Sequence, residues 1–192
     1  MRFTLLAVAA GVGIGLLARG RARRTTAPPL RLWPLLVGGL ALQIASAHVD
    51  HDRVVPVLLA GYVLLLGFAA LNVRTVGMWL VATGIALNLA AIAVNDGMPV
   101  RPSALVAAGL AEPGRVDELR LAAKHHLERP SDRAPALGDI IPVAPLGEVV
   151  SFGDVVLAMG TANVVARLLA PRPRPGAHAA RRRAAGDRAT TR

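Results

Sequence analysis

The chain has 192 residues, 54% of them apolar, a formal charge of +10 and no cysteine. The missing cysteine excludes disulfides, thiol chemistry and thiolate metal sites. Aromatic residues make up only 3%, so the long Leu/Val/Ala/Gly stretches read as helices whose outer faces meet lipid, not as the core of a soluble domain. The positive charge is not a nucleic-acid signature either. It gathers mainly in residues 19–31 and in the tail from Arg167 onward, the asymmetry that orients a membrane protein.

Residues 3–18 form the first apolar block. Arg2 precedes it, whereas Arg19, Arg21, Arg23, Arg24 and Arg31 follow it. A cleaved signal peptide carries its charge in front and a small-x-small site behind, so this block reads as a retained helix with an outside N-terminus. Gly11 and Gly15 make a small-xxx-small pair, with Gly13 between them, of the kind that lets helices approach closely. The second block, 32–47, opens on Trp33-Pro34. Proline costs little in a first turn, where its missing N–H has no intrahelical partner, and tryptophan suits a membrane interface. A polar turn at 48–53 leads to the third block, 54–71, and a four-residue turn leads to the fourth, 76–94. Turns that short force antiparallel hairpins.

Residues 95–149 form the one long polar region, with eight acids and six Arg or Lys. It begins with turn chemistry, Asn95-Asp96-Gly97-Met98-Pro99. Residues 103–110 predict a short surface helix. Residues 116–127 predict a second, with Val116, Leu119, Ala123 and Leu127 on one face between Gly114 and Pro130. Residues 137–150 carry Pro142, Pro145 and Gly147 among apolar residues and predict an extended or interfacial segment. Ser151 and Asp154 fit a capping box at the head of a fifth block, 152–170, which as a helix is roughly 28 Å long, just enough to span. The tail, 171–192, lacks apolar periodicity and predicts disorder.

The expected fold is therefore all-α. Residues 1–170 make a polytopic transmembrane helix bundle of about five spans, with the extracytoplasmic loop 95–149 inside it and the basic tail 171–192 in the cytoplasm. An outside N-terminus puts both strongly basic segments on the cytoplasmic side, as the positive-inside rule asks. A four-span alternative, with the last block peripheral, would leave the basic tail outside.

No phosphate loop, dinucleotide motif, serine elbow or zinc-enzyme helix motif is present, and no cofactor is expected. The topology does gather His48, His51, His125 and His126 on the outer side with Asp50, Asp52, Asp96 and Asp139. These imidazoles are weak candidates for a divalent metal site, set against the plainer reading that a turn between helices must be polar. Polar residues inside the blocks are few: Gln43, Ser46, Thr83, Asn88, Thr161 and Asn163. Their expected role is hydrogen bonding between helices. The first four blocks carry no charge at mid-membrane, which argues against ion transport. The arginine tail reads as a contact for anionic lipid headgroups, with no nucleic-acid partner.

Four short motifs recur in a recognisable order: Asn95-Asp96-Gly97-Met98-Pro99-Val100, Lys124-His125, Leu137-Gly138-Asp139-Ile140-Ile141-Pro142 and Ser151-Phe152-Gly153-Asp154-Val155-Val156. Together they resemble a bacterial family of multi-pass membrane proteins designated only as domain of unknown function 5317, over about residues 1–170. The resemblance implies no activity, cofactor or partner. It does single out Asn95, Gly97, Met98, Pro99, Lys124, His125, Gly138, Asp139 and Asp154 as candidate outer-face functional residues, with Pro142 and Gly153 beside them.

Two function classes follow. One is a non-enzymatic structural or interaction protein of the cell membrane, touching lipid and an envelope partner or a second copy of itself. The other is a small-solute carrier or membrane enzyme with its site at the outer helix ends. The ordered outer loop and the apolar span interiors favour the first.

Overall fold

The computed structural model describes residues 2–17, 30–122 and 124–169. The arginines at 19–24, Ala123 and the tail 171–192 lie outside the described residues, and so does the expectation of a disordered tail.

Five apolar helices fall close to the five expected blocks: α1 (Arg2–Leu17), α2 (Trp33–Ala45), α3 (His51–Leu71), α4 (Met78–Asn95) and, after a polar segment, α6 (Phe152–Leu169). Helices α3, α4 and α6 are long and apolar enough to cross a membrane, while α1 and α2 are apolar but shorter. The polar turn before α3 is shorter than expected, because His51, Asp52 and Arg53 already belong to the helix. Asp52 in its first turn complements the positive end of the helix dipole.

The helices pack in the spatial order α2, α3, α4, α6, α1. Small residues set three of the four crossings. A Cβ on Gly39 of α2 would meet the Gly61 carbonyl of α3 at 3.0 Å, and a Cβ on Gly160 of α6 would meet the Val81 nitrogen of α4 at 2.6 Å. The α1–α6 seam is parallel, with Gly11 against Ala162 and Gly15 against Ala166. A Cβ on these two glycines would stand 2.6 Å and 2.9 Å from the respective alanine carbonyls, whereas one on Gly13 would meet nothing within 4 Å among the described residues. The small-xxx-small pair is thus a real contact surface, and its partner is another such pair. At the far end of the row Asn72 closes the α3 C-terminus by pairing with the backbone of Arg31: it accepts from Arg31 N at 2.7 Å and donates to Arg31 O at 2.9 Å.

Two small sheets mean that the fold is mostly helical and not all-α. Strand β1 (Met98–Val100) follows α4 directly and pairs in parallel with β2 (His125–Leu127), with Met98 opposite His125. On its other side Val100 bridges to Asp139. Strands β3 (Ile141–Val143) and β4 (Glu148–Val150) form an antiparallel pair. Short helix α5 (Pro102–Ala107) occupies part of the expected 103–110 helix and buries Ala104 and Leu105. The helix expected over 116–127 does not form. Only Val116–Glu118 makes a 3-10 turn, and His125–Leu127 is a strand. Backbone pairing to the buried strand β1 overrides a modest local helical pattern, as tertiary context commonly does. The result is a folded cap over the end of the row where α4 finishes and α6 starts.

Replacing Gly11 or Gly15 by leucine is expected to lower stability by about 1–3 kcal/mol through overpacking, while Gly13→Leu leaves it unchanged. Melting temperatures of the three purified variants in one detergent check this.

Candidate functional site

The cap leaves a cavity of about 400 Å³ beneath it. Its wall comes from four parts of the chain: Phe3 and Thr4 of α1, Tyr62 of α3, the cap itself, and Asp154 in the first turn of α6. Two local devices hold these parts in place.

The first is the capping box. Ser151 Oγ accepts from Asp154 N at 3.0 Å, and Asp154 Oδ2 accepts from Ser151 N at 3.2 Å. The box reaches across to α4. Asn88, almost fully buried, donates through Nδ2 to Asp154 Oδ1 at 2.7 Å and accepts through Oδ1 from Ser151 Oγ at 2.9 Å. Residue 153 has to be glycine, because a Cβ there would collide with the Asn88 amide. Asn88 therefore links helices as expected, whereas Gln43 keeps a buried Nε2 without a partner among the described residues.

The second device ties the cap to α1. Glu148 on β4 accepts from Arg2 N at 2.8 Å and from Phe3 N at 3.0 Å, and the Arg2 guanidinium donates to Leu146 O at 3.0 Å. A carboxylate there satisfies free N–H groups at the positive end of the helix. Burial alone would raise the Glu148 carboxyl, but the hydrogen bonds at the head of α1 outweigh it and hold the group below its usual range.

Of the candidate residues, Met98, Lys124, His125, Asp139 and Asp154 line the cavity. The others build its frame. Asn95 ties the end of α4 to the cap, donating to Arg133 O at 3.0 Å and accepting from Arg133 N at 2.6 Å. Gly97 turns the chain from α4 into β1 with φ +137°, a conformation that favours glycine. Pro99 is buried in β1, and its carbonyl accepts from Asp139 N at 2.9 Å. Gly138 packs so closely on Pro99 that a side chain would clash. Pro142 is exposed on β3.

Asp139 is the most constrained acid. Its backbone is held on both sides, by Pro99 O and by Arg101 N, which donates to Asp139 O at 3.0 Å. Its side chain is buried, with Oδ2 3.3 Å from His125 Nε2 and Oδ1 unpartnered among the described residues. Burial pushes this carboxyl above its ordinary range. The His125 contact and Lys124 pull it back, and Asp154 pushes it up further.

His48, His51, His125 and His126 do not converge on one site. His125 and His126 are neighbours on a strand, so their side chains leave on opposite faces. His125 meets Asp139, while His126 Nε2 lies 3.2 Å from Asp132. His48 caps α2 through Ile44 O at 3.1 Å, and His51 is exposed at the start of α3. Among the described residues no group of three or more His, Cys, Asp or Glu could hold a metal ion.

Tyr62, Glu148, Arg120 and Phe3 also line the cavity, and sequence reasoning missed them. Tyr62 carried a signal: it is the one tyrosine of the chain, set in an otherwise apolar block. Glu148 carried none, because its partners lie about 145 residues away.

Fold and cavity define a helical protein with three helices suited to crossing a membrane and a polar cap over one end of them. The model of the family of unknown function DUF5317 matches residues 30–166, and the chain belongs to that family. The match runs from just before α2 nearly to the end of α6, so α1 lies outside it although Phe3 and Thr4 face the cavity. No match was found among curated proteins or solved structures.

Because the folded pKa of Asp139 lies above the unfolded value, its ionisation costs stability. Its contribution is fully present below the unfolded carboxyl range and is lost as pH rises through the raised value. Asp139→Asn cannot ionise. The variant is expected to melt above the wild type at pH 7, with the gap narrowing at pH 4, as read by differential scanning fluorimetry at both pH values. A gap independent of pH would contradict the assignment.

Proposed function

We propose that the protein is a five-span protein of the cell membrane that recognises a small molecule in the cavity on its outer face. In this reading the helices start outside with α1, the cap lies outside, and the tail lies in the cytoplasm. Several features support that orientation. Arg31, Arg74 and Arg167 all belong to the end away from the cap, and the arginines at 19–24 follow α1 in the sequence. Exposed Trp33 and Trp79 open α2 and α4 at that same end, as interfacial tryptophans do. Exposed apolar side chains such as Leu6, Ile14, Ile44 and Val63 suit contact with lipid.

The observation that carries the functional reading is the cavity itself. Its wall draws on two helices suited to spanning, α3 and α6, on α1 and on the cap, and it mixes apolar surface with charged side chains, the usual make-up of a small-molecule site. A purely structural or interaction role has no need of such a cavity. The reading therefore moves from the first function class to the second, as a binding or carrier site at the outer helix ends.

A thermal-shift screen of the purified protein tests it, using small cations, anions and neutral amphiphiles. At least one class is expected to raise the melting temperature by about 2–4 °C at saturation. Ala122→Trp, which fills the cavity wall, should abolish the shift. A screen in which no class stabilises the wild type more than Ala122→Trp would contradict the reading.

A further inference from the structure

Although the chain carries a formal charge of +10, its cavity does not share that sign. Three acids line it, Asp139, Glu148 and Asp154, with two bases, Arg120 and Lys124. The three acids are not equivalent. Glu148 is committed to the head of α1. Asp154 is held by Asn88 and the backbone of Ser151, with one bond to each oxygen. Carboxylate oxygens can accept about two hydrogen bonds each, so Asp154 keeps acceptor capacity. Asp139 is the exceptional one, with a side chain 8% exposed and an Oδ1 that has no partner among the described residues.

A buried carboxylate oxygen without a donor is costly. Two things relieve it, a proton or a donor brought by another molecule. The donor that bonds a carboxylate most strongly is a cation. Phe3 and Tyr62 add aromatic rings to the wall, and such rings favour ammonium groups and apolar bodies alike.

We propose that the cavity binds a small organic amine, its ammonium paired with the Asp139 carboxylate and facing Asp154, with its apolar body against the aromatic and aliphatic wall. The proposal rests on the cavity being a ligand site. Binding draws Asp139 into its ionised form, so affinity falls as pH drops. His125 on β2, Arg120 and Lys124 before it, Glu148 on β4, Asp154 on α6 and Tyr62 on α3 are the titratable groups that line the same cavity. Among the described residues Lys124 has no ion-pair partner within 4 Å, and it is the internal competitor for the same carboxylate.

The test compares hexylammonium, hexanol and hexanoate as probes of one chain length on the full-length purified protein, by calorimetry and melting temperature at pH 7. Hexylammonium is expected to bind and stabilise, and the other two to do neither. Asp139→Asn should weaken it about tenfold or more, as loss of a charged hydrogen bond does. Asp117→Asn, an exposed acid of the cap outside the cavity, should have no effect, which separates the site from net charge. Lys124→Met should tighten binding. The melting temperature of each variant without ligand reports whether it is folded. Hexylammonium binding that is equal in wild type and Asp139→Asn overturns the proposal. Preference for hexanoate or hexanol overturns the amine assignment and leaves the ligand-site reading standing. Absence of any probe effect overturns the amine assignment too, and the broader screen then decides whether the cavity binds anything.

Discussion

Asn88 has to satisfy a whole amide inside an apolar helix, and it does so chiefly on the head of α6. Where lipid surrounds a helix, no water is at hand to accept or donate, so polar groups must be satisfied within the protein. The Asn88 amide donates to Asp154 and accepts from Ser151, which are the two residues that cap α6 for each other. One junction thereby fixes the rotation of α6 against α4, its height along α4 and the point at which it begins. Gly153 is part of the same constraint, since any side chain there would displace the amide.

The remaining architecture follows from that placement. Helix α6 lies between α4 and α1, so its alanines at 162 and 166 offer α1 a groove that only Gly11 and Gly15 can enter. With α1 seated, its first N–H groups stand where Glu148 can reach them. Strand β1 leaves α4 and carries β2 on one side and Asp139 on the other, which brings His125 and Asp139 together from segments that are distant in sequence. The cavity is the space these restraints leave between the cap and the helix ends. Asp154 belongs to both, as a structural cap and as part of the wall.

The legible parts of this fold were those written in local chemistry. Apolar blocks marked the five helices to within a few residues, Ser151 and Asp154 announced the start of α6, and the Gly11–Gly15 spacing announced a close helix contact. The motif residues Lys124, His125, Asp139 and Asp154 could be picked out one by one. What could not be read was their convergence. Strands of three residues are too short to show an alternating pattern, and the parallel pairing of Met98 with His125 leaves no local trace. The apolar spacing at Val116 and Leu119 mimicked a helix, although Leu119 instead faces the cavity. His125 and His126 read as helical neighbours, when strand alternation sends them to different carboxylates. Tyr62 stands out as the one tyrosine of the chain, but nothing local places the cap beside it.

The proposed topology rests most on α6 crossing the membrane, with the cap at its outer end. The chain has no cysteine, so single thiols report sidedness without background. Ala144→Cys places one on the exposed surface of the cap, and Ala179→Cys places one past α6 in the basic tail. With a membrane-impermeant maleimide, Ala144→Cys is predicted to label in intact cells and Ala179→Cys only after the membrane is opened. Labelling of Ala179→Cys in intact cells would contradict it.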